Sequence, residues 1–243
     1  MSNQTLQQNI RYYNEEASIY DESRYETESG RRLDQFQKRV LLQYLNDVPT
    51  EAKILEYGCG TGRFLPTVRE KGHRLVGVDV SSNMLLLAEK RLHMKMITDI
   101  DLKLIDGKTI PFADNSFDAI YSILVVNLVP DFNKLFIEIS RVLKPGGTFI
   151  FNVPNFSSVF FPVGLYVGVR GRTRTSNAAG SRYSHWFSAG EVKSALDSAG
   201  FYVDQVVGQP LTVCQRDNVP AAKAPIGKWL LSKSMYYKAR LSN

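Results

Sequence analysis

Three glycines at alternate positions, Gly58, Gly60 and Gly62, follow a short apolar run, Ile54 and Leu55, and an acid, Glu56, in the segment KILEYGCGTGRF of residues 53–64. Apolar run, glycine turn and a helix-like pattern (Phe64, Leu65, Val68) form the layout of a nucleotide-type cofactor site. Glycine permits positive φ and lets a ligand touch the main chain. A helix N-terminus behind the turn would offer free N–H groups and about +0.5 of charge to a carboxylate or phosphate. The spacing is GxGxG, because Arg63 stands where a dinucleotide-binding turn carries its third glycine. The competing reading of this stretch alone is a tight turn with no ligand. About twenty residues further on, a second apolar run, RLVGVDV, ends in Asp79, an acid placed to accept hydrogen bonds from both ribose hydroxyls.

Other residues invite chemistry with less support. His185, in SHWFS, is the best candidate for a general base, since histidine is the side chain that titrates near neutrality. Tyr20 is a weaker rival. His73 and His93 lie near helix ends and read as surface residues. Cys59 sits between two glycines and reads as a small buried side chain rather than a nucleophile. No metal site is expected. Residues 155–186 exceed the usual connection between a strand and a helix, and long loops in compact domains are often functional. This stretch joins an aromatic part (Phe160, Phe161, Tyr166) to an arginine cluster, Arg170, Arg172, Arg174 and Arg182. An apolar wall beside arginine forks suits an acceptor with a hydrophobic and an anionic part. It also suits peripheral contact with an anionic membrane, or a solvated basic loop.

The elements that must position these residues alternate. Strands are expected at 53–57, 74–79, 101–106, 117–122, 146–153 and 201–207, and helices at 62–71, 82–92, 131–143 and 189–199, which implies a parallel sheet covered on both faces. Residues 30–46 read as a further helix, with Leu33, Phe36, Val40, Leu41 and Tyr44 at three- and four-residue intervals. Asp131 is a plausible N-cap, and Ser188 with Glu191 a capping box. LKPGG, residues 143–147, reads as a helix-ending turn. Residues 234–241 read either as an inserted antiparallel strand, with Met235, Tyr237 and Ala239 on one face, or as a basic edge.

The 243 residues suit one generous domain, and 44% hydrophobic content suits an ordinary globular core. Two cysteines give no disulfide framework and suggest a reducing compartment. With a polar N-terminus and no run near the length of a membrane span, a cytoplasmic protein is expected. A net charge of +6 permits an acidic or phosphate-bearing substrate or an anionic surface and proves none.

With RLVGVDVSSNML, DGKTIPFADNSFDAIYS and RVLKPGGTFIF following the glycine turn in order, the chain resembles the class I S-adenosylmethionine (SAM)-dependent methyltransferases. It is most similar to their small-molecule branch, which includes the ubiquinone and menaquinone biosynthesis enzymes. The likeness is strong over residues 50–155 and loose over 156–207. It implies a Rossmann-like doubly wound α/β sheet of strand order 3-2-1-4-5-7-6, mostly parallel with one antiparallel strand and helices on both faces. It implies one domain with a helical cover at 1–48, a SAM-binding core at 49–154, an acceptor-side insertion at 155–187 and the rest of the sheet and tail at 188–243. The tyrosine-rich start of the chain (Tyr12, Tyr13, Tyr20, Tyr25) is either that cover or a surface helix with aromatic anchors. The resemblance places SAM among Glu56, Tyr57, Gly58, Cys59, Gly60, Asp79, Val80, Met84, Asp106, Gly107 and Ser122. Glu56 is assigned to the ammonium, Asp79 to the ribose, Met84 to an adenine face or core packing, and Asp106 to the adenine amine or a turn. Ser122 is assigned to the methionine end. Where many relatives carry a histidine pair after strand four, this chain has Asn127 and Leu128, so that histidine's role does not carry over. The expected acceptor is a small molecule. An RNA, tRNA or protein methyltransferase ranks lower, no nucleic-acid module being visible. A nicotinamide oxidoreductase is poorly supported, and the rival of another class is a non-catalytic SAM-binding protein.

Overall fold

The computed structural model describes residues 3–156, 175–176, 183–210 and 232–242. Arg170, Arg172, Arg174 and Arg182 lie outside the described residues, as do Phe160, Phe161 and Tyr166. Three helices come first: α1 (Asn3–Glu16), α2 (Tyr20–Tyr25) and α3 (Glu28–Leu45). Then strands and helices alternate: β1 (Lys53–Tyr57), α4 (Leu65–Arg69), β2 (Arg74–Asp79), α5 (Ser82–Met94), β3 (Asp101–Leu104), β4 (Phe117–Ser122), α6 (Phe132–Val142) and β5 (Leu143–Pro154). A two-residue ribbon, β6 (Thr175–Ser176) with β7 (Ser184–His185), precedes α7 (Ala189–Ser198), β8 (Phe201–Pro210) and β9 (Ser232–Leu241).

The main sheet has the order β3-β2-β1-β4-β5-β9-β8. The first five strands pair in parallel, and β9 runs antiparallel between β5 and β8. This is the expected doubly wound order. Side chains on successive strand residues point to opposite faces, and two cores result. Leu55 and Tyr57 of β1 join Phe136 and Ile139 of α6 and Val192 and Leu196 of α7 on one face. Ile54 joins Val40 and Tyr44 of α3, Leu65 and Val68 of α4, and Leu85 and Leu92 of α5 on the other. Burial on both faces is why β1 reads as a continuous apolar run rather than an alternating one. The order reverses between β1 and β4, and the crevice beyond their C-terminal ends is where open α/β sheets hold ligands.

Several local expectations meet their structure. The Asp131 carboxylate accepts from Lys134 N, and Ser188 with Glu191 forms the full capping box. LKPGG ends the helix, Leu143 being the C-cap of α6, and at the same time opens β5, where these residues bulge between the pairs Phe117–Leu143 and Ala119–Thr148. Gly146 adopts φ +72°, and Lys144 Nζ reaches Asp118 at 2.7 Å across the bulge. His73 is buried, not a surface residue. Residues 234–241 belong to an interior strand rather than a basic edge: Lys238 is 1% exposed and places its ammonium 2.6 and 2.7 Å from the two Asp47 oxygens.

Candidate cofactor and acceptor site

The glycine turn is left-handed at every second residue, with φ +76° at Gly58, +52° at Gly60 and +70° at Gly62. Only glycine takes this conformation without strain. Four of the turn's amides are bonded internally. Gly58 N and Cys59 N both donate to Val78 O, at 2.8 and 2.9 Å, and Gly62 N donates to Cys59 O at 2.9 Å. Gly60 N donates to Asp79 Oδ2 at 2.8 Å. The helix behind the turn starts only at Leu65 and spans five residues. That helix is too short to add much of a helix-terminal charge.

What remains is space and acid. A methyl group built on Gly60 would meet nothing within 4 Å, whereas one on Gly58 would strike Val125 at 2.4 Å and one on Gly62 would touch Ala88 at 3.0 Å. Gly60 therefore faces open room, and the other two glycines serve packing. That room is a cavity of about 430 Å³. Of the residues expected at the cofactor, Glu56, Tyr57, Gly58, Cys59, Gly60, Asp79, Val80, Met84 and Gly107 line it. Glu56 is 2% exposed and accepts from the Tyr121 hydroxyl at 3.0 Å. Burial pushes its carboxyl up to about 8, against the lowering effects of the Tyr121 hydrogen bond and the nearby Arg63 charge. Asp79 is buried too, which raises its pKa, while amide hydrogens from Ser81 and Gly60 act in the opposite sense. Each Asp79 oxygen accepts one of these N–H bonds. With two acceptor sites per carboxylate oxygen, each has one left for a diol.

Two expected residues stand elsewhere. Ser122 is fully buried, donates its hydroxyl to Tyr57 O at 3.0 Å, and does not line the cavity. Asp106 is exposed and accepts from Lys108 N at 2.8 Å and Thr109 N at 3.2 Å, which lowers its pKa. It builds the turn before Gly107, one of the two readings open from sequence.

Tyr20 lines the cavity, and so do Tyr13 and Tyr25, which sequence reasoning noticed in the tyrosine-rich start without assigning them to the site. Their rings form a wall, with centroids 6.0 Å apart for Tyr13–Tyr20 and 6.3 Å for Tyr20–Tyr25. The Arg24 guanidinium lies 4.3 Å from the Tyr20 centroid. Arg63 lies 4.0 Å from both the Tyr25 and Phe64 rings, and bonds Asp34 and Gln37. Asn9 joins three segments at the cavity: its amide donates to Leu128 O at 2.9 Å and accepts from Tyr183 N at 2.8 Å. Asn127 donates to Ser184 Oγ at 3.0 Å, a scaffold role. Leu124, also at the cavity, is left-handed at φ +66° and donates its N–H to the Asn152 side-chain oxygen at 2.6 Å. A branched residue in that conformation stores strain, a common mark of ligand sites.

His185 does not line the cavity. Its ring stacks on Phe132 at 5.6 Å and meets Phe187 edge-on at 4.5 Å, with Nε2 3.4 Å from Glu191. Among the described residues no group of histidine, cysteine and acidic side chains could hold a metal ion, and no helix is long and apolar enough to cross a membrane.

Residues 55–151 match a protein-family profile described as a methyltransferase domain. A demethylmenaquinone methyltransferase of Tropheryma whipplei is 32% identical over 160 residues, covering 61% of this chain and 66% of that protein. A methyltransferase of Streptomyces halstedii is 34% identical over 123 residues, covering 49% of this chain and 42% of that protein. The chain thus spans 42% to 66% of the length of these two relatives. A Thermotoga maritima structure described as a SAM-dependent methyltransferase, possible histamine N-methyltransferase, superposes with a TM-score of 0.69 at 18% identity, over 95% of this chain and 98% of that one. At that identity the likeness speaks for the fold.

Proposed function

Because the chain belongs to the class I S-adenosylmethionine-dependent methyltransferase family, we propose that it transfers a methyl group to a small-molecule acceptor. The observation that carries this reading is the pair of buried carboxyl groups, Glu56 and Asp79, beside the glycine turn at one end of the cavity. Such an end of a cavity favours a ligand with an ammonium and a diol over one with phosphates.

The residues present fit SAM. Glu56 takes the ammonium, Asp79 the ribose hydroxyls, and the open space at Gly60 admits close approach of the chain that joins them. Val80, Met84 and Ile105 give an apolar slot for a purine. When bound, SAM would supply an electrophilic methyl group that an acceptor nucleophile attacks in line, the carbon–sulfur bond breaking to release S-adenosylhomocysteine. Alignment supplies most of the rate, on the order of 7–11 kcal/mol. The tyrosine wall bounds the acceptor side, and Tyr20 is the cavity-lining candidate for receiving a proton where the nucleophile must lose one. His185 is the lesser candidate, being packed between aromatic rings away from the cavity. Relatives named for demethylmenaquinone, a sterol and malonyl groups on acyl-carrier protein support an acceptor with an apolar body or an anionic group. The arginines at 170, 172, 174 and 182 supply the counter-charge in this reading.

Calorimetric titration with S-adenosylhomocysteine, with NADH as control, is the first test. Binding of the homocysteine compound alone is expected, followed by label transfer from methyl-tritiated SAM into lipid or metabolite extracts. No binding would overturn the reading, and binding without transfer to any pool would favour a SAM-binding protein without turnover.

A further inference from the structure

The main sheet ends at β3, which among the described residues pairs only with β2. Ile105 N donates to Asp79 O, so the backbone groups of Ile105, Lys103 and Asp101 turn toward β2, and those of Leu104, Leu102 and Ile100 turn outward to the edge. A row of outward N–H and C=O groups is a template for another strand, and proteins blunt such edges with short strands and charge. This edge is short and carries Asp101 and Lys103, both exposed, but exposed apolar side chains flank it. Leu104 is 55% exposed, and Met94 and Met96, on the approach to the strand, are 77% and 89% exposed.

The charges suit one partner, a second copy of the same strand. Laid antiparallel about a two-fold axis through Leu102, the segment IDLKL of residues 100–104 sets Asp101 opposite Lys103 of the second copy, and Lys103 opposite Asp101 of that copy. Leu102 then meets its own counterpart, and Leu104 meets Ile100. The outward-turned residues fall at the hydrogen-bonded pairs, as their backbone groups require, and the charged residues at the closer non-hydrogen-bonded pairs. Centring the axis on Asp101 or on Lys103 would instead set like charges against each other, which is destabilising. The faces agree as well. Ile100 and Leu102 pack on the core beneath α5, so Leu104 points to that side too. The Lys103 ammonium lies on the other face, 5.1 Å from the centroid of the Phe112 ring. The two-fold axis keeps each face on its own side, so the exposed apolar groups of both copies gather beside α5 and the ion pairs form opposite.

We propose that the β3 edges of two copies pair in this register, joining two seven-stranded sheets across an isologous interface. Neither the pairing nor its test depends on the cofactor reading.

The experiment is sedimentation velocity over a protein concentration series, and a monomer–dimer equilibrium is expected for the wild type. Asp101→Lys or Lys103→Asp alone turns both attractions into repulsions and weakens the dimer at least about tenfold. An equimolar mixture of these two variants restores opposed charges and recovers the dimer, as does the Asp101→Lys, Lys103→Asp double variant. Amide hydrogen exchange of the wild type supplies a second readout should a variant fail to fold: exchange at Leu102 and Leu104 slows as the dimer forms. A wild type that stays monomeric, a dimer indifferent to the reversals, or exchange at these amides that ignores protein concentration overturns the inference. So does a monomer that binds phosphatidylglycerol vesicles through Met94, Met96 and Leu104, which would give this patch to a membrane surface.

Discussion

Asp79 and Gly60 form one unit, an acid whose oxygen accepts the amide of the glycine that faces the open cavity. Asp79→Ala removes the acceptors for two N–H groups and, in the reading above, for the diol. It is expected to weaken S-adenosylhomocysteine binding about 100- to 10,000-fold by calorimetry, at about 1.5–3 kcal/mol for each of two bonds to a charged group. Gly60→Ala tests space instead: its added methyl meets no protein atom, so the fold persists at a cost of about 1–2 kcal/mol for the left-handed backbone, while binding falls at least about tenfold. Glu56 yields a pH signature. Its carboxyl titrates near 8 in the fold, so at pH 7 it is largely protonated, and an ammonium placed beside it expels that proton. Calorimetry at pH 7 in buffers of different ionisation heat should show proton release on binding that fades above about pH 9, and Glu56→Gln should abolish it. The raised pKa also means that the fold holds this proton more tightly than the unfolded chain. Its contribution to stability is full below the ordinary carboxyl value of 4.5 and is lost as pH rises through about 8. Asp79 and the glycines were legible in the sequence because strand-turn-strand spacing is local. Ser122 and Asp106 lie outside the cavity lining, because a position near the end of a strand does not say which way the side chain points.

At the scale of elements, β9 shows how a strand carrying Lys and Arg, read as either an inserted strand or a basic edge, sits inside a sheet. Lys238 is buried among Asp47 at 2.6 Å and Asp204 at 3.5 Å, with Arg240 joining both acids at the rim. The arrangement is asymmetric: the Lys238 side chain is 2% exposed, whereas Asp47 is 47% exposed. Asp47→Ala strips a buried ammonium of its nearest partner and should cost about 3 kcal/mol. Lys238→Met leaves only half-exposed acids and should cost about 1 kcal/mol or less. Urea denaturation distinguishes the two, and equal losses would contradict the asymmetry. The sequence did foresee the alternation of Met235, Tyr237 and Ala239, since period two is a property of the strand alone. It could not foresee acids brought from residues 47 and 204.

For the molecule as a whole, a ligand that binds only the folded state should raise its stability: S-adenosylhomocysteine at 100 times its dissociation constant adds about 2.7 kcal/mol. Thermal unfolding should shift upward with that compound and not with NADH. The Arg172→Ala, Arg174→Ala pair, on the segment assigned to the acceptor, should leave this shift unchanged and lower acceptor turnover. Loss of the shift in that pair would move the segment to the cofactor.

The sequence by itself determined the alternation of strands and helices, the glycine turn and the acid of the second strand; the order in which the sheet is wound came from the family resemblance. The first three are written in hydrophobic period, in residues that tolerate positive φ, or in spacing along one strand. Tertiary structure decided how those parts are used. It turned the Gly58, Cys59 and Gly60 amides to Val78 and Asp79, and left open room at Gly60. It drew Tyr13, Tyr20 and Tyr25 onto the cavity and packed His185 against Phe132 and Phe187. Those outcomes depend on contacts between residues far apart in the chain, and neither periodicity nor local propensity encodes such contacts.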